Sequence, residues 1–234
     1  MLLDPDTAPA SDPDPAPAPA PEAAPTPRWH RRPEARPDEI LEAAFRVFGE
    51  HGFARAKLED VAQAAGVSKG TLYLYFDSKE TLFREMVRAK VVPLVEQGEA
   101  KLQAHEGPYR ELLVSLVTTM YDTMLHRGLG RISRLVISEL GAFPELARFY
   151  YEEVVLRAQR LLEQLLERGV AAGEFRPVPH HYAARGIPAL VLHALQTQCT
   201  FQQFDPRAPT ESQVLEGIVD LYLHGVLARA ESDR

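Results

Sequence analysis

The apolar residues of this chain recur three and four positions apart, in one stretch after another, from residue 38 to residue 230. That spacing gathers them on one face of an α-helix and would scatter them over both faces of a strand, so it commits the chain to helices. The first stripe is Ile40, Leu41, Ala44, Phe45, Val47 and Phe48. Asp38 and Glu39 sit where acids favour a helix start, and Gly52 where a glycine commonly ends one, which predicts a helix over 38–50. A shorter stripe, Leu58, Val61, Ala62 and Ala65, closes at Gly66, and Ser68 restarts the chain as an N-cap. From there Leu72 and Phe76 point inward. The segment ends at Asp77, Ser78 caps another helix holding Leu82, Phe83, Met86 and Val87, and Pro93 limits or kinks that helix. Further stripes predict helices near 108–125, 129–140, 144–171, 180–203 and 211–230. Between them lie Pro108, Gly128 with Gly130, Gly141 with Pro144, Gly173, Pro177 with Pro179, and Pro206 with Pro209, as helix breakers should. No strand alternation and no hairpin dipeptide interrupts the pattern, so the expected fold class is all-α.

The first 37 residues are different in kind. They hold eleven of the 19 prolines, in Pro-Ala and Pro-Asp runs that remove backbone donors and offer little to bury. Residues 1–37 are therefore expected to form a disordered, polyproline-like tail, with 38–90 and 91–234 as the folded parts. The net charge of −7 argues against a protein that coats nucleic acid nonspecifically, but it is unevenly spread. Residues 1–27 carry five acids and no base. Residues 28–37 then set Arg28, Arg31, Arg32 and Arg36 against Glu34 alone, a cluster that fits either a DNA-tracking arm or a solvated linker end. Residues 38–90 are almost neutral, so charge by itself does not suggest DNA.

Two short helices joined by a tight glycine turn form a helix-turn-helix when the second presents polar and aromatic residues outward. Between Leu58 and Phe76 the apolar residues Val61, Ala62, Ala65, Val67, Leu72 and Phe76 can pack internally, and Gly66 supplies a left-handed turn at low cost. Ser68, Lys69, Gly70, Thr71, Tyr73 and Tyr75 are left outside on one short helix. The stretch Gly66-Val-Ser-Lys-Gly-Thr-Leu-Tyr-Leu-Tyr-Phe-Asp-Ser-Lys-Glu-Thr-Leu-Phe83 closely resembles the DNA-binding signature of the TetR family of transcriptional regulators. The likeness covers roughly residues 38–90, and Phe53 and Val61-Ala62 agree in spacing. It implies a three-helix DNA-binding domain followed by a larger helical domain that dimerises and binds a small molecule. It also implies that Lys69, Gly70, Thr71 and Tyr73 meet bases or nearby backbone, with Ser68 beside them, and that Tyr75 and Lys79 meet phosphates. The chemistry agrees: Gly70 permits close approach, Thr71 offers a hydroxyl and a methyl to base edges, and tyrosine hydroxyls and lysines suit phosphate oxygens. Lys57 departs from the family's capping Thr or Ser. A lost capping hydroxyl costs about 1 kcal/mol, and Lys57 is expected to contact phosphate.

In the larger part, Met120, Tyr121, Met124, Phe149, His193 and Gln196 are candidate ligand contacts, since a cavity between helices with a few polar anchors suits a small hydrophobic or aromatic molecule. Core packing is the competing reading for each. The segment from Arg131 to Tyr150 resembles one that forms two consecutive helices in a subgroup of these regulators. The last two stripes, with Ala184, Pro188, Val191, Leu192 and Leu195, then Val214, Ile218, Leu221, Tyr222 and Val226, match the helices that pair across the homodimer in this family. Two recognition helices about 34 Å apart would read a pseudo-palindromic operator in double-stranded DNA.

No phosphate-cradling loop or nucleophile motif appears, and no catalytic residue, metal site or cofactor is expected. His180 and His181 are read as solvated loop residues, and Cys199 as a small buried apolar residue. No apolar run reaches the roughly 20 residues of a membrane span, and the N-terminus lacks a secretory pattern, so a cytoplasmic location is expected. The function that results is a sequence-specific repressor released from its operator by a small molecule. Two alternatives stand beside it: a dimeric DNA-binding protein indifferent to ligand, and an α-helical carrier or enzyme.

Overall fold

The computed structural model describes residues 36–226, and the Pro-rich tail and the basic cluster Arg28, Arg31 and Arg32 lie outside the described residues. The first helix, α1 (Arg36–His51), starts two residues earlier than its stripe implied, because Pro37 fits a first turn whose amide hydrogens have no partner anyway. Its inner face, Ile40, Ala43, Ala44 and Phe48, is fully buried. Gly52 ends it with φ +79, a conformation that side chains resist.

α2 (Leu58–Ala64) begins at Lys57, which has no side-chain oxygen to cap it. Asp60 compensates from inside the first turn, its carboxylate accepting the Lys57 amide at 3.1 Å. Gly66, with φ +65 and nothing within reach of an added Cβ, turns the chain into α3 (Lys69–Tyr73). The Ser68 hydroxyl caps α3 by accepting the Thr71 amide at 3.0 Å, and Ser78 caps α4 (Lys79–Lys90) on the Thr81 amide at the same distance.

A helix absent from the stripes follows, α5 (Val92–Gln103). Pro93 stands in its first turn, where proline is tolerated, so the residue read as a breaker opens a new helix. The remaining helices are α6 (Tyr109–His126), α7 (Leu129–Glu139), α8 (Pro144–Tyr150), α9 (Leu156–Ala171), α10 (His180–Thr200) and α11 (Glu211–Val226). One π-helical turn, Tyr151–Val155, joins α8 to α9, so the stripe 144–171 is continuous helix with a bulge. Among the described residues there is no strand, and no helix is long and apolar enough to cross a membrane.

Burial falls into two clusters. One gathers α1 to α4 with Leu129, Ile132, Leu135, Leu146, Phe149 and Tyr150 of α7 and α8; the other lies among α6, α9, α10 and α11 around Leu113, Leu165, Leu166 and Val191. The helix-turn-helix thus shares its core with the lower helices of the larger part. Glu174, between α9 and α10, accepts the Tyr109 and Arg110 amides at 3.1 Å each and so caps α6, which begins at a proline without a capping side chain. His180 and His181 are not loop residues: they open α10 and face Glu167 (3.8 Å) and Glu163 (2.8 Å) of α9. Cys199, expected to be buried, is exposed.

Candidate DNA interface and ligand cavity

α3 is held at three points, and each leaves its outer side open. Leu72 is fully buried and Phe76 nearly so, while Ser68 and Thr71 satisfy each other locally, hydroxyl to hydroxyl at 2.8 Å. Lys69 pairs with Glu59 of α2, a contact that depresses the Glu59 carboxyl and raises the Lys69 ammonium. Both side chains are about half exposed, so the pair is readily exchanged for a phosphate. Lys57, Ser68, Lys69, Gly70, Tyr73 and Tyr75 are all exposed and Thr71 is half-buried. A Cβ on Gly70 would meet nothing closer than the Ser68 hydroxyl at 3.8 Å, so no crowding within the chain calls for glycine there.

Two residues beside this surface take part in ways that the apolar stripes do not assign. The Lys79 ammonium donates to the carbonyls of Phe53 (2.7 Å), Ala54 (3.2 Å) and Ala56 (3.1 Å), and lies 4.6 Å from the centre of the Phe53 ring. Its three hydrogens thereby tie the α1–α2 loop to α4. Leu74, which the stripes left unassigned, is 83% exposed between Tyr73 and Tyr75. The signal was in its phase, since two positions from buried Leu72 is the opposite side of a helix.

The helix-turn-helix meets the larger part through specific contacts. Glu139 of α7 accepts the Ala54 amide at 2.8 Å, and Phe53 meets Phe143 edge-on at 4.9 Å. Arg84 and Arg88 of α4 lie over the Phe149 ring at 4.9 and 5.1 Å, and Arg84 also donates to the Glu145 carbonyl at 3.2 Å.

Next to Phe149 in sequence, Tyr150 faces the other way and lines a cavity of about 170 Å³ between α5, α6, α8, α9 and α10. The wall is almost wholly apolar, with Leu94, Val117, Met120, Met124, Leu161 and Ile187 contributing. Burial pushes the Tyr150 hydroxyl up to about 12, with a hydrogen bond to Ser133 pulling the other way.

The six residues expected around a ligand are therefore distributed, not gathered. Met120 and Met124 line the cavity. Tyr121 is buried beside it, with its hydroxyl donating to Gln198 at 2.8 Å, and Phe149 packs on α4. His193 and Gln196 line a separate, open cleft of about 890 Å³ between α1, α7 and α10, together with Met124, Arg46, Arg127 and Arg134. Sequence reading missed Gly98 and Lys101 because they lie on the unrecognised α5. Among the described residues no group of three or more His, Cys, Asp or Glu is placed to hold a metal.

Known proteins share this arrangement. Residues 40–86 match the description of bacterial regulatory proteins of the tetR family, and residues 111–225 match the C-terminal domain of AefR-like transcriptional repressors. The chain is 30% identical over 149 residues to the HTH-type transcriptional repressor KstR2 of Mycolicibacterium smegmatis, covering 62% of this chain and 70% of that protein. The fold is similar to that of a transcriptional regulator from Saccharomonospora viridis solved with choline (TM-score 0.71, 24% identity, 85% of this chain and 100% of that one). It is also similar to FadR of Bacillus subtilis solved with stearoyl-CoA (TM-score 0.67, 21% identity, 80% and 98%). With a helix-turn-helix at one end and a helical cavity domain at the other, the chain belongs to the tetR family of bacterial regulatory proteins, and it is a DNA-binding transcriptional repressor.

Proposed function

We propose that residues 38–90 read a pseudo-palindromic operator through α3, and that residues 91–226 lower operator affinity when a small hydrophobic molecule fills the cavity behind Tyr150. Lys69, Gly70, Thr71, Tyr73 and Leu74 face base edges, with Leu74 suited to a thymine methyl, while Lys57, Ser68 and Tyr75 contact phosphates. Lys79 braces the loop beneath them. The observation that carries this reading is Gly70, uncrowded by its own chain yet set at the centre of an exposed polar and aromatic surface.

Phe149 and Tyr150 supply the link between the two activities. Tyr150 borders the cavity, and Phe149 is gripped by Arg84 and Arg88 of α4, the helix that follows α3. A ligand that displaces Tyr150 shifts α8, and with it the support of α4. Reciprocity then requires DNA to weaken ligand binding by the same factor, typically about 1 to 3 kcal/mol of coupling. The exposed side of α10 and α11, with Tyr182 and Leu221, is assigned to the second copy. The work is done by binding, not catalysis, in the cytoplasm, where its DNA is.

Fluorescence anisotropy on the protein's own upstream DNA, with excess nonspecific competitor, tests the reading. Competitor-resistant binding in the wild type that disappears in Tyr73→Ala is expected. If the wild type shows no competitor-resistant binding there and random-sequence selection also returns no preferred site, the assignment of α3 fails.

A further inference from the structure

The cavity behind Tyr150 carries a chemical preference. Of the residues that line it, Lys101 is the one that bears a charge; no carboxylate lines it, and its other polar groups are neutral. Lys101 is exposed, as is Gln97 one turn earlier on α5, so the two mark the mouth of an otherwise apolar chamber. Among the described residues Lys101 has no hydrogen-bond or ion-pair partner. The nearby acid of α5, Glu99, is taken by Arg157, which donates to its two oxygens at 3.1 and 2.6 Å. Tyr150 adds no charge to the wall, since burial keeps its hydroxyl un-ionised.

From this asymmetry we infer that the ligand is an amphipathic anion, its apolar body in the chamber and its carboxylate on the Lys101 ammonium. The inference rests on the cavity being the ligand site. An apolar cavity of about 150 Å³ takes benzene, so a chamber of about 170 Å³ holds one ring or a chain of about six carbons. Met120 and Met124 give the wall room to yield to a somewhat longer chain, because unbranched thioethers repack readily. A cationic ligand finds no carboxylate or open aromatic cage here and would be repelled at the mouth. Lys101 also stands in the last turn of α5, where a cation suits the helix end whatever binds nearby. The test must therefore read ligand preference and not stability alone.

Titration calorimetry of the full chain with octanoate, 1-octanol and octyltrimethylammonium separates these roles, since the three share a tail and differ in charge. The wild type is expected to bind octanoate about tenfold more tightly than octanol, the size of one charge-assisted contact after allowing for solvent exposure, and the cation weakest. Lys101→Ala should equalise octanoate and octanol, Lys101→Glu should invert the preference towards the cation, and Lys101→Arg should keep the wild-type order. Met120→Trp, which fills the chamber, should abolish binding of all three. An octanoate-to-octanol ratio unchanged in Lys101→Glu, with Met120→Trp still abolishing binding, would overturn the anion inference and leave the cavity as the ligand site. Undiminished binding to Met120→Trp would overturn the cavity reading itself and the inference with it. Failure of the wild type to bind octanoate while it binds octanol would also overturn the anion.

Discussion

The helix-turn-helix and the cavity domain are built to opposite packing rules. Around α1 to α4, Phe48, Phe53 and Phe83 meet in tilted and edge-on pairs with centroids 5.4 to 5.7 Å apart, all three fully buried. The helix starts there are closed by side chains within three residues, as with Ser68, Ser78 and Asp60. In the cavity domain the corresponding volume is left unfilled, a π turn replaces regular helix beside it, and α6 is capped by Glu174, sixty-four and sixty-five residues away from its partners. Dense, locally closed packing makes the first region a rigid reader. Loose packing held by distant contacts gives the second the freedom to answer a ligand.

Truncations should expose the contrast most sharply. Phe53→Ala empties the centre of the aromatic cluster and its contact with Phe143, and it should lower unfolding free energy by about 3 to 5 kcal/mol in urea titration. Met120→Ala merely enlarges an existing cavity from a half-buried position, so its cost should stay below about 2 kcal/mol. Equal losses would erase the distinction between the two regions.

At the DNA surface the expected effect is smaller and purely functional. Tyr73→Ala should weaken specific operator binding by about 1 to 3 kcal/mol while leaving the thermal midpoint and octanoate affinity unchanged. A fall in the midpoint would show that the exposed ring packs within the fold after all. Phe149→Leu, which keeps bulk but loses the ring beneath Arg84 and Arg88, should reduce ligand–DNA coupling by about 0.5 to 2 kcal/mol. Binding of each partner measured alone should survive, and intact coupling would rule out α8 as the link.

The smallest effect is confined to alkaline pH. Burial raises Tyr150 and Tyr222, both in the cavity domain, to about 12 from an ordinary value of 10. Their folded-state values lie above the unfolded ones, so the stability they contribute is complete below pH 10 and is lost as pH rises towards 12. Tyr150→Phe should flatten part of that decline in urea titrations between these pH values. An unaltered slope would mean that this hydroxyl is not protected from water.

Much of the DNA-binding half was legible because its determinants are near neighbours in the chain. Gly66, Ser68, Leu72 and Phe76 fix the turn and the inward face, and what remains on α3 must face out. The exceptions there were long-range: Lys79 is drawn onto carbonyls twenty-three to twenty-six residues earlier. The ligand residues were harder to sort for the same reason. Periodicity places Met120, Tyr121 and Met124 on one helix, yet whether each meets a cavity, a glutamine or a second cleft depends on which helix comes to lie against it.

What the sequence by itself determined is every helix but α5 among the described residues, the turn chemistry between α2 and α3, and the family to which that chemistry points. Only the tertiary structure decided that α5 exists behind Pro93 and that Phe149 and Tyr150 divide between α4 and the cavity. It also decided that Lys101 stands alone at the cavity mouth. Hydrophobic spacing and capping act over one or two turns and can be read along the chain, whereas an empty volume and an unpaired charge are defined by neighbours that only folding brings together.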